Sequence, residues 1–146
     1  MNITIVNAKE KDAEAVWELG HASWELHPSK DSQWHTPDEL KRWFNNPGRD
    51  ILLVAKNKEK TVGLSLTSVF VDWAMLHDLY VDTKYRRLGI GKKLISKTVK
   101  KLRQKRIAYL GLVVNEKNEE GLEFYQANGF NKGYKFFWMY QRLKKI

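Results

Sequence analysis

Cysteine is absent from this chain. Its absence excludes a disulfide framework, a thiolate nucleophile and any cysteine-ligated metal, and it fits an intracellular protein. Long hydrophobic runs are absent too: no stretch approaches the ~18 residues that a membrane-spanning helix requires. The opening residues Met1-Asn2-Ile3-Thr4-Ile5-Val6-Asn7 turn polar before a signal peptide could form. A cytoplasmic protein with no membrane partner is therefore expected. Histidine is sparse, and His21, His27, His35 and His77 lack zinc-type spacing such as H-E-x-x-H, so no metal is expected.

What remains is typical of one packed domain. The chain has 146 residues, of which 42% are hydrophobic and 12% aromatic, enough to bury a core and to argue against disorder. A single domain over 1–146 is expected. The net charge of +9 favours polyanions, whether nucleic acid or a phosphate-rich cofactor. Lysines crowd the chain from Lys84 onward, whereas Glu10, Asp12, Glu14, Glu18, Glu25, Asp31, Asp38 and Glu39 make the first third acidic.

Periodicity and punctuation give the element order. Ile3 to Val6 reads as a strand, and Asp12 is placed to cap a helix running to about Leu26. Thr36-Pro37-Asp38-Glu39 is a helix start: Thr36 can accept from the Glu39 amide, Glu39 can reach back, and proline suits the first helical position. Asn45-Asn46-Pro47-Gly48 ends that helix. Strands are expected at Ile51 to Ala55, Val62 to Phe70 and Ala74 to Val81, the first two joined by a polar hairpin loop, Asn57-Lys58-Glu59-Lys60. A helix from about Gly89 to Lys105 buries Leu94, Ile95, Thr98, Val99 and Leu102 and turns lysines outward. A strand over Ile107 to Val114, a helix over Glu119 to Asn128 and a strand over Phe136 to Leu143 complete the chain. The order β-α-α-β-β-β-α-β-α-β implies an α/β fold, a twisted mixed sheet flanked by helices.

The most informative stretch is Leu79-Tyr80-Val81-Asp82-Thr83-Lys84-Tyr85-Arg86-Arg87-Leu88-Gly89-Ile90-Gly91-Lys92. An apolar strand enters a basic turn, two glycines follow at spacing two, and a helix begins. Unpaired amides and the positive end of the helix dipole make such a start an anion site, and glycines let phosphate oxygens approach the backbone. Other phosphate motifs fit poorly. A Rossmann turn would need a third glycine where Leu94 stands, and a Walker A loop would need Ser or Thr where Lys93 follows Lys92. The glycines alone would also serve tight packing of helix on strand.

Arg-x-x-Gly-x-Gly after Leu-Tyr-Val resembles the acetyl-CoA motif of the GNAT N-acetyltransferases. Asn118, seven residues before Tyr125, and the run Phe124-Tyr125-Gln126-Ala127-Asn128-Gly129-Phe130 resemble the family's later motif. Among its members the motifs look closest to the spermidine/spermine acetyltransferase branch. The resemblance implies a GNAT-like sheet of six to seven strands with about four helices. It implies acetyl-CoA with its pyrophosphate on the Arg86, Arg87, Leu88, Gly89, Ile90, Gly91 and Lys92 turn. It places the pantetheine arm along Leu79, Tyr80 and Val81, with Asn118 beside it. Tyr125 would protonate the leaving thiolate as general acid.

An amine attacks a thioester only as the free base, and an alkyl ammonium has a pKa of ~10.4 in water. Where the polyamine-acetylating relatives carry Glu-Asp, this chain has His77-Asp78. Imidazole, with an ordinary pKa of ~6.5, can serve as base near neutrality; His77 could equally just line the strand face. Asp78, on the opposite side of the strand by simple alternation, would anchor the fold or the acceptor. The resemblance places the acceptor pocket on Trp24, Glu25, Trp34 and Asp78, joined by His27, Asp31 and His35, with Asp72, Trp73, Tyr134 and Trp138 as further candidates. An amine acceptor, small-molecule or peptide, is the implied partner. The aromatic run Phe136-Phe137-Trp138-Met139-Tyr140 could serve a homodimer. Two other readings stay open: a basic nucleic-acid- or ribosome-associated binding protein, against which stands the lack of an interleaved aromatic–basic motif or a helix-turn-helix signature, and a GNAT fold that binds acyl-CoA without catalysis.

Overall fold

The computed structural model describes residues 1–23, 26 and 32–144. The chain forms two compact units, Met1–Val113 and Val114–Ile146. In the first unit β1 (Ile3–Asn7) leads through a 3-10 turn (Glu10–Asp12) into α1 (Ala13–His21). Then come α2 (Pro37–Asn45), β2 (Ile51–Asn57), β3 (Lys60–Val69) and β4 (Trp73–Val81). A 3-10 turn at Thr83–Tyr85 precedes α3 (Ile90–Gln104), and β5 (Tyr109–Gly111) follows. The second unit contains α4 (Glu119–Ala127).

The strands lie in sequence order, β1-β2-β3-β4-β5; β1 to β4 are antiparallel, and β5 runs parallel to β4. Such a parallel return needs a crossover connection, which α3 supplies. The β2–β3 connection is tighter than expected, because Asn57 pairs with Lys60 and only Lys58 and Glu59 turn. One sheet face packs Val54, Leu64 and Leu66 against Ala13 and Val16 of α1 and Leu40 and Phe44 of α2. The other packs Leu53, Ala55 and Ala74 against Ile90, Leu94 and Leu102 of α3. Each fully buried Leu in these layers stabilises by roughly 1.5–3 kcal/mol, which is what holds a lysine-rich helix such as α3 on the sheet.

Several expectations are corrected. Asp12 does not cap α1 with its side chain. Its carboxylate takes the Lys9 amide at 2.8 Å and the Lys56 ammonium at 2.7 Å, because a buried charge needs a partner more than an exposed helix end does. Helix α1 stops at His21 rather than near Leu26. Thr36 does cap α2, accepting from the Glu39 amide at 3.1 Å, but the Glu39 carboxylate turns to His35 instead of closing a capping box. The strand expected over Ile107 to Val114 shortens to β5, since pairing with β4 covers only Trp73–Met75. No strand forms over Phe136 to Leu143, where Phe137 is 94% exposed and Trp138 71%. Strand propensity describes fit to a neighbouring strand, and here no described residue offers one. Among the described residues the sheet therefore has five strands, not six or seven, with four α-helices.

Candidate functional site

The basic turn at the end of β4 is held by its own residues. Asp82 accepts from the Lys84 amide at 3.0 Å and so shapes the 3-10 turn. Arg86 folds back: its Nε donates to the Val81 carbonyl at 3.0 Å, and its guanidinium lies 5.2 Å from the centre of the Tyr80 ring. Arg87 and Gly89 then take left-handed backbone, with φ of 62° and 80°. For Arg87 that conformation is strained, and such strain collects at functional turns.

Gly89 is the N-cap of α3, whose first turn carries no acidic residue and no side-chain cap. The first intrahelical bond runs from the Lys93 amide to the Gly89 carbonyl at 3.0 Å, so the preceding amides point out of the helix end. A Cβ built on Gly89 would meet no atom within 4 Å, so the space at Gly89 itself is open. Uncapped amides, the positive dipole end and the Arg87 and Lys92 cations form a donor set that fits a pyrophosphate.

Beside this turn, the end of β4 has a strand neighbour on one side only among the described residues. β5 leaves it after the Met75–Gly111 pair, and among the described residues no strand takes up the edge from Leu76 to Val81. Leu79, Tyr80 and Val81, all half-buried, lie on that edge and end at the turn.

The other face of β4 carries a polar cluster. The register of β3 against β4 jumps from Leu66–Asp78 to Thr67–Leu76, which makes His77 the extra residue of a β-bulge. Alternation is thereby broken. Exposed His77 meets Ser68 Oγ through Nε2 at 2.9 Å, on the face that also carries Asp78, and not on the opposite side. Asp78 is 5% exposed. Its carboxylate accepts from Trp34 Nε1 at 2.9 Å and lies 3.7 Å from His35 Nε2. The other His35 nitrogen contacts Glu39. Burial pulls the His35 pKa down, but the carboxylates of Asp78 and Glu39 outweigh it and hold the imidazole above its ordinary value. Trp17 Nε1 donates to the His35 carbonyl at 3.0 Å and steadies the same loop.

Trp34 can lie there only because α1 has a glycine beneath it: a Cβ on Gly20 would fall 2.0 Å from the Trp34 ring. Trp24, Glu25, His27 and Asp31 lie outside the described residues. Trp73 stacks on Phe70 at 4.6 Å between ring centres, away from this cluster's hydrogen bonds.

Asn118 and Tyr125 belong to the second unit. Asn118 caps α4, accepting from the Gly121 amide at 3.0 Å. A Cβ on Gly121 would stand 2.6 Å from Asn118 Nδ2, so glycine is what lets this cap close. Half-buried Tyr125 packs edge-on against Phe124 and Phe130 at 5.2 and 5.5 Å.

Residues 13–130 match the Acetyltransferase (GNAT) family, which is most of the chain. The chain belongs to the GNAT family. That family uses acetyl-CoA as its acetyl donor. Among curated relatives, this GNAT chain is 32% identical over 73 residues to the ribosomal protein bS18-alanine N-acetyltransferase of Escherichia coli K12. The match takes in 50% of this chain and 49% of that protein, so the chain spans about half the length of the curated relatives it matches. Among solved structures, an aminoglycoside acetyltransferase from an uncultured soil metagenomic sample has a TM-score of 0.80 at 24% identity, covering 97% of both chains. The PaiA N-acetyltransferase of Thermoplasma acidophilum, solved with coenzyme A, has a TM-score of 0.72 at 22% identity, covering 90% of this chain and 91% of that one.

Within the GNAT chain, the roles of Gly20, Glu39 and Ser68 go beyond what the sequence displayed. The expected helix to about Leu26 puts Gly20 in its interior, where glycine destabilises unless something needs the space, and that is a usable signal. Ser68 gave none, because its contact with His77 depends on the bulge.

Proposed function

We propose that this chain is a single acetyltransferase domain over 1–146 that transfers the acetyl group of acetyl-CoA to a primary amine in a ternary complex. The observation that carries the reading is the uncapped, acid-free start of α3, open in front of Gly89 and continuous with the unpaired edge of β4. When bound, acetyl-CoA supplies an activated acyl group as a thioester.

The amides from Gly89 to Lys92, with Arg87, hold the diphosphate, while Arg86 braces the turn against Val81 and Tyr80. The backbone of Leu79 to Val81 offers hydrogen bonds to an extended amide-containing arm, as an added strand would. On the other face of β4, Asp78 and Glu39 outweigh the single His35 imidazolium and favour a cationic acceptor. His77, exposed beside them and oriented by Ser68, takes the proton that the ammonium must lose. The family motif assigns Tyr125 the role of giving the departing thiolate its proton, and Asn118 that of contacting the pantetheine arm.

The acceptors named in the relatives, a protein N-terminal alanine and aminoglycosides, are both amines. A compact amine of that class is the expected substrate. The test is thiol release from acetyl-CoA across polyamines, amino acids, aminoglycosides, alanine-initiated peptides and lysine peptides, beside calorimetry with coenzyme A. Turnover of one amine class with micromolar coenzyme A binding supports the reading; absence of coenzyme A binding at millimolar concentration refutes it. His77→Ala should lower kcat strongly at neutral pH and recover in part at high pH, where the amine loses its proton unaided. A profile parallel to that of the unmodified protein removes His77 from the base role.

A further inference from the structure

The net charge of +9 is not spread over the molecule. From Thr83 to Asn115 there are eleven Lys and Arg and no Asp or Glu. The rest of the chain therefore holds 15 of the 26 basic residues and all 17 acidic ones, a balance of −2. One segment carries the whole excess, and α3 is its centre.

Helix α3 directs its apolar side chains into the sheet, with Ile90, Leu94, Ile95, Thr98 and Leu102 buried. Lys93, Lys100, Arg103, Lys105 and Arg106 are exposed on the outside. Lys97 is already committed, its ammonium donating to the Ile5 carbonyl at 2.8 Å. Among the described residues no ion pair engages any cation of this segment. Two or three cations at a helix C-terminus would suffice to complement its dipole. The surplus needs another account, and like charges held together destabilise the fold unless a counter-charge is present.

We infer that the outer face of α3 binds the sugar–phosphate backbone of a nucleic-acid duplex. The span from Lys93 to Arg103 is ~15 Å at the helical rise of about 1.5 Å per residue, enough to follow four or five phosphates at ~3.4 Å of axis each. The helix carries no aromatic side chain on which an unstacked base could lie, so recognition is of the backbone rather than of splayed bases. No exposed side chain of α3 is a large apolar one, and its apolar face is taken by the sheet, so the helix lacks the anchor with which an amphipathic helix enters a membrane. This surface lies outside the cofactor turn, and its function stands independently of the acetyl-transfer reading.

The test is fluorescence anisotropy of the full chain with a labelled RNA hairpin whose stem is about 16 base pairs. A DNA duplex of the same length, poly-glutamate and phosphatidylserine vesicles form the parallel arms. With five phosphate contacts, raising salt from about 50 to about 200 mM should weaken duplex binding by about 500-fold. The Lys100→Gln/Arg103→Gln/Lys105→Gln variant should bind at least about tenfold more weakly, with a log–log salt slope shallower by about 3. Lys9→Gln/Lys11→Gln/Lys58→Gln, which removes equal charge elsewhere, should bind as the unmodified protein does. Similar binding to RNA and DNA stems fits backbone recognition, and a preference for one names the source. Binding insensitive to salt, equal loss in both variants, or equal or tighter binding to poly-glutamate or vesicles overturns the inference.

Discussion

Gly89→Ala separates the conformational role of the turn from its chemical one. Gly89 sits at φ 80°, where an L side chain costs roughly 1–2 kcal/mol, and its Cβ would touch nothing within 4 Å, so no clash adds to that cost. For a chain of this length about 1 kcal/mol corresponds to a melting temperature lower by about 3 °C. Gly48 provides the control: it too has positive φ, 59°, and open space, but lies in the α2–β2 connection. Gly48→Ala should lose similar stability and leave coenzyme A affinity unchanged. Gly89→Ala places a methyl group where the anion must approach and disturbs the amides that receive it. Its coenzyme A affinity should fall at least about tenfold, equivalent to about 1.4 kcal/mol. Differential scanning fluorimetry and isothermal calorimetry measure the two quantities. If both variants melt early and both bind coenzyme A normally, the phosphate assignment is wrong.

Gly20→Ala should place a methyl group inside the Trp34 ring system, destabilise by about 1–3 kcal/mol through overpacking and separate Trp34 from Asp78. Indole fluorescence should shift with the melting temperature, and an unchanged spectrum would contradict the packing described. His35 has a folded pKa above its unfolded value, so its ion pairs stabilise fully below about pH 6.5, and that contribution is lost as pH rises through the folded value. The melting-temperature difference between the unmodified protein and His35→Gln should therefore shrink between pH 6 and pH 9; a difference that grows with pH would reverse the assigned charge.

How much of this was legible depended on the range of the interactions. The glycine-opened α3, the Thr36 cap and the hairpin strands rest on local pattern, and the sequence displays them directly. The acid-free stretch around α3 is equally plain from the residues. The bulge at His77 is not local: it comes from the pairing of β3 with β4, and it defeats the alternation rule that would set His77 and Asp78 on opposite faces. The Asp12–Lys56 pair likewise joins residues 44 positions apart and overrides a helix-cap preference. The Phe136–Leu143 run shows the converse. Its aromatic residues favour a strand, but a strand exists only where another backbone receives it.

The early departure of β5 has a consequence for the protein before it meets any ligand. Among the described residues, backbone groups from Leu76 to Val81 form a short sheet border without a strand neighbour, with only the Val81 carbonyl already taken by Arg86; chains associate with one another along borders of this type. A molecule lying along it would satisfy those groups and remove the template at once. Occupancy would then govern solubility, and the chain should store best when saturated with acetyl-CoA.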